Sequence, residues 1–530
     1  MKYIRIAKAK GLLIFLIVLL GFFLRVYRVG KTPSGFFCDE AAIGYNAYSL
    51  LQKGEDEYGE PYPFFFRSFG DYRNPLPIYF NILTVAAFGL NEFSVRFTSA
   101  VAGTLTILIV FLLTERLWGN LIALLSSFLI AISPWHLHFS RFGSEYIYFP
   151  FLFSLGLYLF IVGLKKEYLL PIGFFVLGIS LYTYYPAWLV TPLFIIGLFF
   201  IYRRQLFKLK KEFIIGILIF MFTLLPLFIG VKNKTALTRW NRVSAFKNLG
   251  NNSVAVSAKN LARTYFAHFS YDFLFKKGDI GYLGHFINRF SVRGMGELYL
   301  FQLPLVILGL LALVKTLNKT ASQTIFLWMV LYPLGSTLIG TDGGGPFAFR
   351  SIIGVVPFQI ISALGFFQIL FIVKKLSKRH HQFLKTFFVI FIFFAALFSL
   401  ESYLYRYHIE YPLYSSDFWG WQFGPREVMK YFLEVRNNYD NLFLMGDFNS
   451  PEIFIKFYDP ENICQGRCQT GGMEKVNLNK RQLYAISITR LREIPNSFQT
   501  NIQKTIYYPN KTPAFLLIEI QKQFPISNMY

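Results

Sequence analysis

Long apolar stretches recur along most of the chain and are separated by short basic loops. The first stretch runs from Gly11 to Tyr27, behind a basic N-terminus. The stretches approach the ~20 residues that a helix needs to cross a bilayer, so the pattern predicts a polytopic α-helical membrane protein with about eleven transmembrane helices. The further predicted spans are residues 95–115, 119–134, 146–164, 168–183, 185–202, 212–231, 299–315, 322–340, 350–373 and 384–403.

Basic residues between these stretches predict the orientation of the helices. The short apolar segment 75–90 contains two prolines and an asparagine. If it does not cross, every basic cluster lies on the side of the basic N-terminus, as the positive-inside rule requires. We therefore expect an uncleaved signal anchor with a cytoplasmic N-terminus, and segment 75–90 at the outer interface or re-entering the membrane. Residues 30–94, 232–298 and the tail then lie outside; the basic clusters are 165–166, 203–211, 315–319 and 374–385.

Composition supports the membrane interpretation. Of 530 residues, 54% are hydrophobic, 19% are aromatic and only 15% are charged, whereas soluble domains carry about 25% charged residues. The net charge of +24 would suggest nucleic acid in a soluble protein. In a membrane protein it instead sets topology and contacts anionic headgroups or phosphates. We expect membrane lipids as partners, and no nucleic acid.

The tail, residues 404–530, differs from the membrane region, residues 1–403. Short apolar runs at 441–445, 484–488 and 514–520 predict buried strands, and helices are predicted at 425–435 and after Ser450. The tail is thus expected to form a small extracytoplasmic α/β domain. Cys464 and Cys468 could bind a metal, but no histidine or second cysteine pair accompanies them, which favours a disulfide.

Two adjacent carboxylates, Asp39 and Glu40, follow the first predicted span by a few residues. Structurally, Asp39 could be the N-cap of a helix over 41–52, with Glu40 in the first turn, where the helix dipole favours acidic side chains. A functional role for the two carboxylates at the lipid–water boundary is the alternative, and the residues alone leave both interpretations open.

Several motifs resemble a known family when they are taken together. They are Asp39-Glu40-Ala41, the stretch Gly70 to Tyr79 with Asn-Pro-Leu-Pro-Ile-Tyr, Ser94-Val95-Arg96, and Ser133-Pro134-Trp135 through Arg141 to Glu145. In this order they resemble the GT-C class of integral-membrane glycosyltransferases, in the branch of protein O-mannosyltransferases and lipid A aminoarabinose transferases. The resemblance covers about residues 25–405. Weaker matches are Phe273 through Gly278-Asp279, Gly294 through Glu297, and Arg350.

The resemblance implies a GT-C-like fold and a specific reaction. Such enzymes transfer a sugar, with inversion, from a polyprenyl-phosphate donor to an extracytoplasmic acceptor, which here could be protein, lipid or surface glycan. The family's general base maps to Asp39, in the first outer loop. Glu40 is expected to assist by orientation, and Glu145 to be the second acidic residue, where relatives often have Asp. This branch mostly works without metal, so we expect no cofactor, a divalent metal being the alternative.

A departing lipid phosphate needs cations nearby. The expected phosphate ligands are Arg141, Arg350, Arg73 and His138. From the residues alone, Arg141 could equally be a headgroup anchor, and His138 an interfacial aromatic. The glycine-rich stretch 341–350 could hold phosphate or be a plain connector. Basic and aromatic residues of the long outer loop could meet the donor or form an interfacial helix; they are Arg239, Trp240, Arg242, Arg289 and Arg293.

A transporter or flippase of lipid-linked sugars is the alternative function. Transporters usually show repeated halves and charges within their helices. Here the charges lie at the outer helix ends and no half of the sequence repeats the other. A mere membrane anchor for the tail would not need so many helices. The sequence therefore favours the transferase.

Overall fold

The computed structural model describes residues 2–233, 254–282, 285, 287–338, 345–376, 380–446 and 448–522. Helices dominate as far as Ser415, and a sheet lies in the tail. Arg239, Trp240, Arg242 and residues 341–344, singled out in the sequence, fall outside the described residues. The helices up to residue 206 are α1 Lys2–Val26, α2 Cys38–Lys53, α3 Leu76–Phe88, α4 Glu92–Trp118, α5 Asn120–Ile132, α6 Pro134–Phe139, α7 Tyr148–Gly163, α8 Leu169–Ser180 and α9 Ala187–Leu206.

The next helices complete the membrane region. They are α10 Lys210–Lys232, α11 Val254–Ala267, α12 Gln302–Lys315, α13 Thr320–Leu331, α14 Leu334–Leu338, α15 Val355–Leu376, α16 His381–Tyr405 and α17 Tyr411–Ser415. A π-helical segment, Arg406–Glu410, joins α16 to α17. The predicted domain boundary at 403/404 therefore falls inside a continuous helical rod. Tyr407 and Tyr411 on that rod are fully buried, which ties residues 404–415 to the membrane region.

Within the described ranges, six helices are long and apolar enough to cross a membrane by length and composition. Five further apolar helices are shorter, at 10–17 residues. A polytopic membrane protein is thus confirmed, while the number of about eleven crossings stays a prediction. The predicted span 322–340 is divided at Pro333 between α13 and α14. The six long segments are Ala9–Val26, Glu92–Trp118, Ala187–Leu206, Lys210–Lys232, Ile352–Lys375 and His381–Ser415.

The start of α4 illustrates how local sequence sets a helix that matters for the site. Asn91 accepts a hydrogen bond from the Ser94 backbone N–H at 2.9 Å, and its own N–H donates to the Ser94 hydroxyl at 3.3 Å. This reciprocal cap fixes where the helix begins. Arg96 consequently lies in the first turns of α4, fully buried. Small residues follow: a Cβ at Gly103 would lie 2.2 Å from the Ser140 hydroxyl, so α4 packs very closely there.

The tail forms the predicted α/β domain. Its five-stranded sheet has the order β4-β3-β5-β7-β6, with β4, β3 and β5 parallel and β7 and β6 antiparallel to their neighbours. Helices α18 and α19 begin where the sequence predicted. Cys464 and Cys468 form the favoured disulfide. The elements are α18 Pro425–Val435, α19 Glu452–Tyr458, β3 Asn441–Met445, β4 Cys468–Thr470, β5 Gln482–Ser487, β6 Phe498–Tyr507 and β7 Pro513–Lys522; β1 Phe66–Ser68 and β2 Asp71–Arg73 form a separate hairpin.

The tail domain packs directly on the loop that follows α1 and on α2. The Gln422 side chain accepts a hydrogen bond from the Cys38 N–H at 3.0 Å. The Phe457 ring of α19 lies 4.8 Å from that of Phe36. An ion pair of 3.1 Å joins Lys456 to Glu57. The domain is therefore part of the wall around the first turn of α2.

Candidate active site

The first turn of α2 carries both predicted carboxylates. Phe37 is the N-cap in extended conformation, and the helix begins at Cys38. The prediction of Asp39 as N-cap is therefore wrong: both acids lie inside the first turn, where the helix dipole favours them. Their environments nevertheless differ, since the Asp39 side chain is 30% exposed and that of Glu40 only 2%.

Glu40 forms a buried ion pair with Arg96 of α4. Arg96 donates through Nε to Glu40 Oε1 at 2.8 Å and through Nη2 to Oε2 at 2.9 Å. Its other N–H groups donate to the carbonyls of Val29, Pro33 and Gly35. This cluster ties the loop after α1 to α4.

The same carboxylate also accepts backbone hydrogen bonds. The Gly143 N–H donates to Glu40 Oε1 at 2.8 Å, and the Phe37 N–H donates to Oε2 at 3.1 Å. Both carboxylate oxygens of Glu40 therefore accept a backbone hydrogen bond in addition to the bond from Arg96. The geometry makes Glu40 a positioning residue that fixes the turn on which Asp39 sits, and its assignment to the catalytic residues stays a prediction.

Asp39 is held from the other side by the β1–β2 hairpin. Arg73 of β2 pairs with Asp39 Oδ1 at 2.5 Å, and its Nε donates to the Ser68 hydroxyl of β1 at 2.8 Å. The hairpin thus holds the Arg73 guanidinium in place, and the guanidinium in turn holds the Asp39 carboxylate. Asp39 keeps a solvent-accessible side, while its helix turn and its cation are both rigidly supported.

Arg289 is a second cation at this corner, which the sequence indicated only as part of a broad basic surface. Its guanidinium lies 3.5 Å from the ring centroid of Phe37. Nη1 donates to the carbonyls of Trp419 and Gly420 at 3.4 and 3.2 Å. Nε and Nη2 make no hydrogen bond to any residue that the structure describes. Its only sequence signal is an arginine beside aromatics in an outer loop, which many interfacial segments share.

The buried thiol of Cys38 shows how close these charges are. Burial raises its pKa most strongly and the Asp39 carboxylate raises it further, while Arg73 and Arg289 act in the opposite direction. Both cations therefore lie within electrostatic reach of the residue next to Asp39. Asp39, Arg73 and Arg289 form one constellation.

Arg350 reaches the same constellation through stacked aromatic rings. Its guanidinium lies over Phe347 and Phe349, at 4.4 and 5.1 Å from the ring centroids. Phe349 stacks on Phe290 at 4.2 Å, directly beside Arg289. The structure thus pairs Asp39 with Arg73 and connects Arg350 to that pair through a path of contacts along Phe349, Phe290 and Arg289.

Glu145 is also near this path. It is buried, and the adjacent Tyr146 ring contacts Phe349 at 5.2 Å. The chain around Glu145 therefore supports the segment that carries Arg350. Its role as the family's second acidic residue stays a prediction.

Arg141 lies among the backbone carbonyls at the end of α1. It is 1% exposed, and its terminal nitrogens donate to the carbonyls of Leu24, Arg25, Tyr27 and Thr32, with the shortest contact, to Leu24, at 2.5 Å. These are the last carbonyls of α1 and the turns beyond it, which a cation at a helix C-terminus commonly satisfies. In this structure Arg141 anchors the end of α1, and its assignment to the donor phosphate stays a prediction.

His138 is likewise enclosed. Its Nε2 donates to the Arg289 carbonyl at 2.6 Å, and its ring meets those of Phe142, Tyr407 and Tyr411 edge-on. Burial, together with the charge of Arg141, lowers its pKa to about 4, so the ring is neutral at physiological pH. His138 thus supports the Arg289 backbone, and its assignment to the donor phosphate stays a prediction.

Metal-ligating side chains do not converge on this corner in the part of the chain that the structure describes. Among the described residues, the side chains that come close enough together to hold an ion are those of Asp459, Cys464 and Cys468, in the tail. Both cysteines are in the disulfide, and the Asp459 carboxylate accepts hydrogen bonds from the N–H groups of Ile463 and Cys464. The expectation of a metal-free reaction stays a prediction.

Comparison with known proteins links this architecture to a class. The family model of dolichyl-phosphate-mannose-protein mannosyltransferases matches residues 73–229. The structure of ArnT from Cupriavidus metallidurans bound to undecaprenyl phosphate aligns over 97% of this chain and 98% of that chain, with 10% identity and a TM-score of 0.52. The chain has the GT-C glycosyltransferase fold. The resemblance seen in the sequence is thereby confirmed.

Other similar proteins match this chain at low identity or over only part of their length. The archaeal oligosaccharyltransferase AglB from Archaeoglobus fulgidus, in complex with an inhibitory peptide and a dolichol-phosphate, aligns over 85% of this chain at 15% identity and a TM-score of 0.51. An uncharacterized protein of Aquifex aeolicus (strain VF5) is 29% identical over 141 residues, 26% of this chain. The chain spans only 59% of AglB and 28% of the Aquifex protein.

The family match begins at Arg73, so it includes Arg96, Arg141 and Glu145 but neither Asp39 nor Arg289. Within this GT-C fold, the roles of those two residues rest on the geometry described above. The comparisons establish the fold; the reaction is inferred from the corner around Asp39.

Proposed function

We propose that this protein is a membrane glycosyltransferase that moves a sugar, with inversion, from a polyprenyl-phosphate donor to an extracytoplasmic hydroxyl. One observation carries the proposal: a partly exposed carboxylate, Asp39, pairs with the guanidinium of Arg73, and Arg289 lies on the ring of Phe37 at the start of the same helix. A base and cations at one corner are what a transfer from a lipid phosphate requires. The polyprenyl phosphate in the ArnT structure and the dolichol-phosphate in the AglB structure support this donor class.

The chemistry assigns one role to each charge. Asp39 accepts the proton of the acceptor hydroxyl as its oxygen forms a bond to the anomeric carbon. The bond from that carbon to the phosphate oxygen breaks on the opposite face, and the electron pair leaves with the polyprenyl phosphate. Arg289 and Arg350 bind the phosphate as its charge grows, because a guanidinium fork matches phosphate oxygens. Arg73 keeps the Asp39 carboxylate oriented.

The tail domain limits the approach of the acceptor. The loop of residues 416–423 contributes the Trp419 and Gly420 carbonyls that hold Arg289, and Gln422 holds the N–H of Cys38. An acceptor that reaches Asp39 must therefore pass this loop, since the prenyl chain of the donor occupies the membrane side. Protein, lipid and surface glycan each offer the required hydroxyl.

The proposal is tested with purified protein in nanodiscs and a panel of radiolabelled polyprenyl-phosphate sugars. We expect one donor to be consumed, with release of polyprenyl phosphate and label on a hydroxyl acceptor. A flippase would instead move the labelled lipid across vesicles and leave it intact. Translocation without release of polyprenyl phosphate, for every donor in the panel, would refute the transferase.

A further inference from the structure

Two buried carboxyl groups and one hydroxyl form a cluster behind the phosphate-binding arginines. The Ser291 Oγ lies 2.7 Å from Asp279 Oδ1 and 2.9 Å from Glu297 Oε1. It also accepts a hydrogen bond from the Asp279 N–H at 3.1 Å. All three residues are buried, with exposures of 4–5%. We call Asp279, Ser291 and Glu297 the carboxyl cluster.

Counting protons in the cluster shows that one carboxyl is neutral. A serine hydroxyl carries a single hydrogen and can donate to only one of its two carboxyl neighbours. A hydrogen that belongs to a carboxyl satisfies the second short oxygen–oxygen contact better than a hydroxyl hydrogen shared between two acceptors does. Two ionised carboxylates around one hydroxyl, away from water, would also repel each other strongly. The cluster therefore holds one carboxyl proton.

Hydrogen bonding locates that proton on Glu297. Asp279 Oδ2 accepts the Ala348 N–H at 3.2 Å while Oδ1 accepts from Ser291, the pattern of an ionised carboxylate. Among the described residues, the only hydrogen-bond partner of the Glu297 carboxyl group is Ser291 Oγ. Burial raises the pKa of Glu297 well above its usual value, and the Asp279 charge raises it further, whereas the pKa of Asp279 rises only to about 6.

The carboxyl cluster connects the segments that carry both phosphate arginines. Ser291 lies two residues after Arg289. Ala348, whose N–H donates to Asp279, lies two residues before Arg350. Glu297 is fixed in turn, because its N–H donates to the Phe273 carbonyl at 3.2 Å and the Leu298 N–H to that of Leu274 at 2.7 Å. A change of charge in the cluster would thus act on Arg289 and Arg350 together.

The other titratable groups around the cluster do not change charge between neutral and mildly alkaline pH. His285 donates through Nδ1 to the Asp279 carbonyl, and burial lowers its pKa to about 4. His138, with a pKa also lowered to about 4, lines a cavity of about 10 Å³ together with Glu297 and Tyr403. Tyr282 lies within electrostatic reach of Asp279, and burial raises its pKa. The cations beside these groups are Lys277, over the Tyr282 ring, and Arg350, within electrostatic reach of His285.

We propose that Glu297 is a positioning residue whose proton sets the placement of Arg289 and Arg350, so that donor affinity falls when Glu297 ionises. This inference rests on the proposed donor-binding function. Glu297 ionisation places a second negative charge beside Asp279 and removes the hydrogen bond to Ser291. The same added charge repels the anionic phosphate of the donor. Proton binding and donor binding should therefore favour each other.

Glu297→Gln tests the inference, because glutamine can donate to Ser291 but cannot ionise. We measure the Kd for undecaprenyl phosphate and the melting temperature without lipid, at several pH values, for the full chain in detergent. The parent should bind about tenfold more weakly at about pH 9 than at about pH 7, because ionised Glu297 and the bound phosphate oppose each other. Glu297→Gln should bind like the parent at the lower pH and show no such loss. Glu434→Gln, an exposed site on α18, should behave as the parent does.

The melting temperatures provide a readout that does not depend on the donor. A carboxyl whose pKa is raised on folding stabilises the protein fully below its unfolded pKa, and this stability is lost as the pH rises through the folded value. The parent should therefore lose more stability than Glu297→Gln as the pH rises above the ordinary pKa of a glutamate towards the raised pKa of Glu297. Equal pH dependence of Kd and melting temperature in the two proteins would overturn the inference alone. Failure of the parent to bind undecaprenyl phosphate at any pH would overturn the proposed function as well.

Discussion

Replacing Arg96 by methionine should be among the most damaging single changes in the membrane region. Arg96 uses all of its N–H donors in five hydrogen bonds and is fully buried. Methionine keeps most of the length and apolar volume but leaves Glu40 buried without its cation. Breaking a buried ion pair in this way costs about 3–5 kcal/mol. The carbonyls of Val29, Pro33 and Gly35 also lose their donor, which adds to that cost.

The cost can be measured by thermal unfolding in detergent, followed by tryptophan fluorescence. We expect Arg96→Met to lower the melting temperature on the order of 5 °C or more. Sugar transfer should also fall, because the turn carrying Asp39 depends on this ion pair. In the double variant Glu40→Met with Arg96→Met, neither charge is left buried alone, so it should lose less stability than the two single variants added together.

Arg481→Met is the matched control. Arg481 pairs with Glu519 at 3.2 Å, but its side chain is 62% exposed, and such surface pairs contribute at most about 1 kcal/mol. If Arg96→Met melted as high as Arg481→Met, the role assigned to the Glu40–Arg96 pair would be wrong. Strict additivity in the double variant would also contradict it.

The remaining predictions concern the cations, the disulfide and the topology. Arg289→Lys should weaken polyprenyl-phosphate binding by about 1–3 kcal/mol, measured as Kd, because the forked donor is lost; unchanged affinity would exclude it as a ligand. Arg73→Lys should lower kcat, since one ammonium cannot hold both Asp39 and Ser68; an unchanged kcat would argue against that support. Cys464→Ser should cost about 2 kcal/mol of tail stability yet keep transfer active. A cysteine at Lys208 should resist an impermeant thiol reagent in intact cells, and labelling there would reverse the predicted topology.

Features encoded in short stretches of sequence were predictable. Membrane helices follow from apolar length, and strands β3, β5 and β7 from short apolar runs, because each depends on neighbouring residues. Strand β6 was missed since most of its side chains are exposed, so it has no apolar run. It is held by backbone pairing with β7, which composition does not indicate.

The site was only partly predictable because its contacts join residues far apart in sequence. Glu40 and Arg96 are 56 positions apart, and Arg141 is 117 positions from the Leu24 carbonyl that it caps. An arginine at a predicted helix end suits both phosphate binding and helix capping, and only the fold decides between them. Asp39 was identifiable through the family motif. The cation role of Arg289 emerged from its stacking on Phe37.

Asp39→Asn provides the most direct test of the proposed role of Asp39 as the general base. Asparagine preserves the size of the side chain but cannot accept the acceptor's proton, so loss of the general base should reduce transfer by about 10²–10⁴-fold. Release of polyprenyl phosphate from the radiolabelled donor is measured under saturating acceptor, alongside Asp272→Asn, which removes an exposed carboxylate paired with Lys277. We expect Asp272→Asn to retain parental activity, and Asp39→Asn to lose transfer while it still binds the donor. Transfer by Asp39→Asn within tenfold of the parent would contradict the central claim.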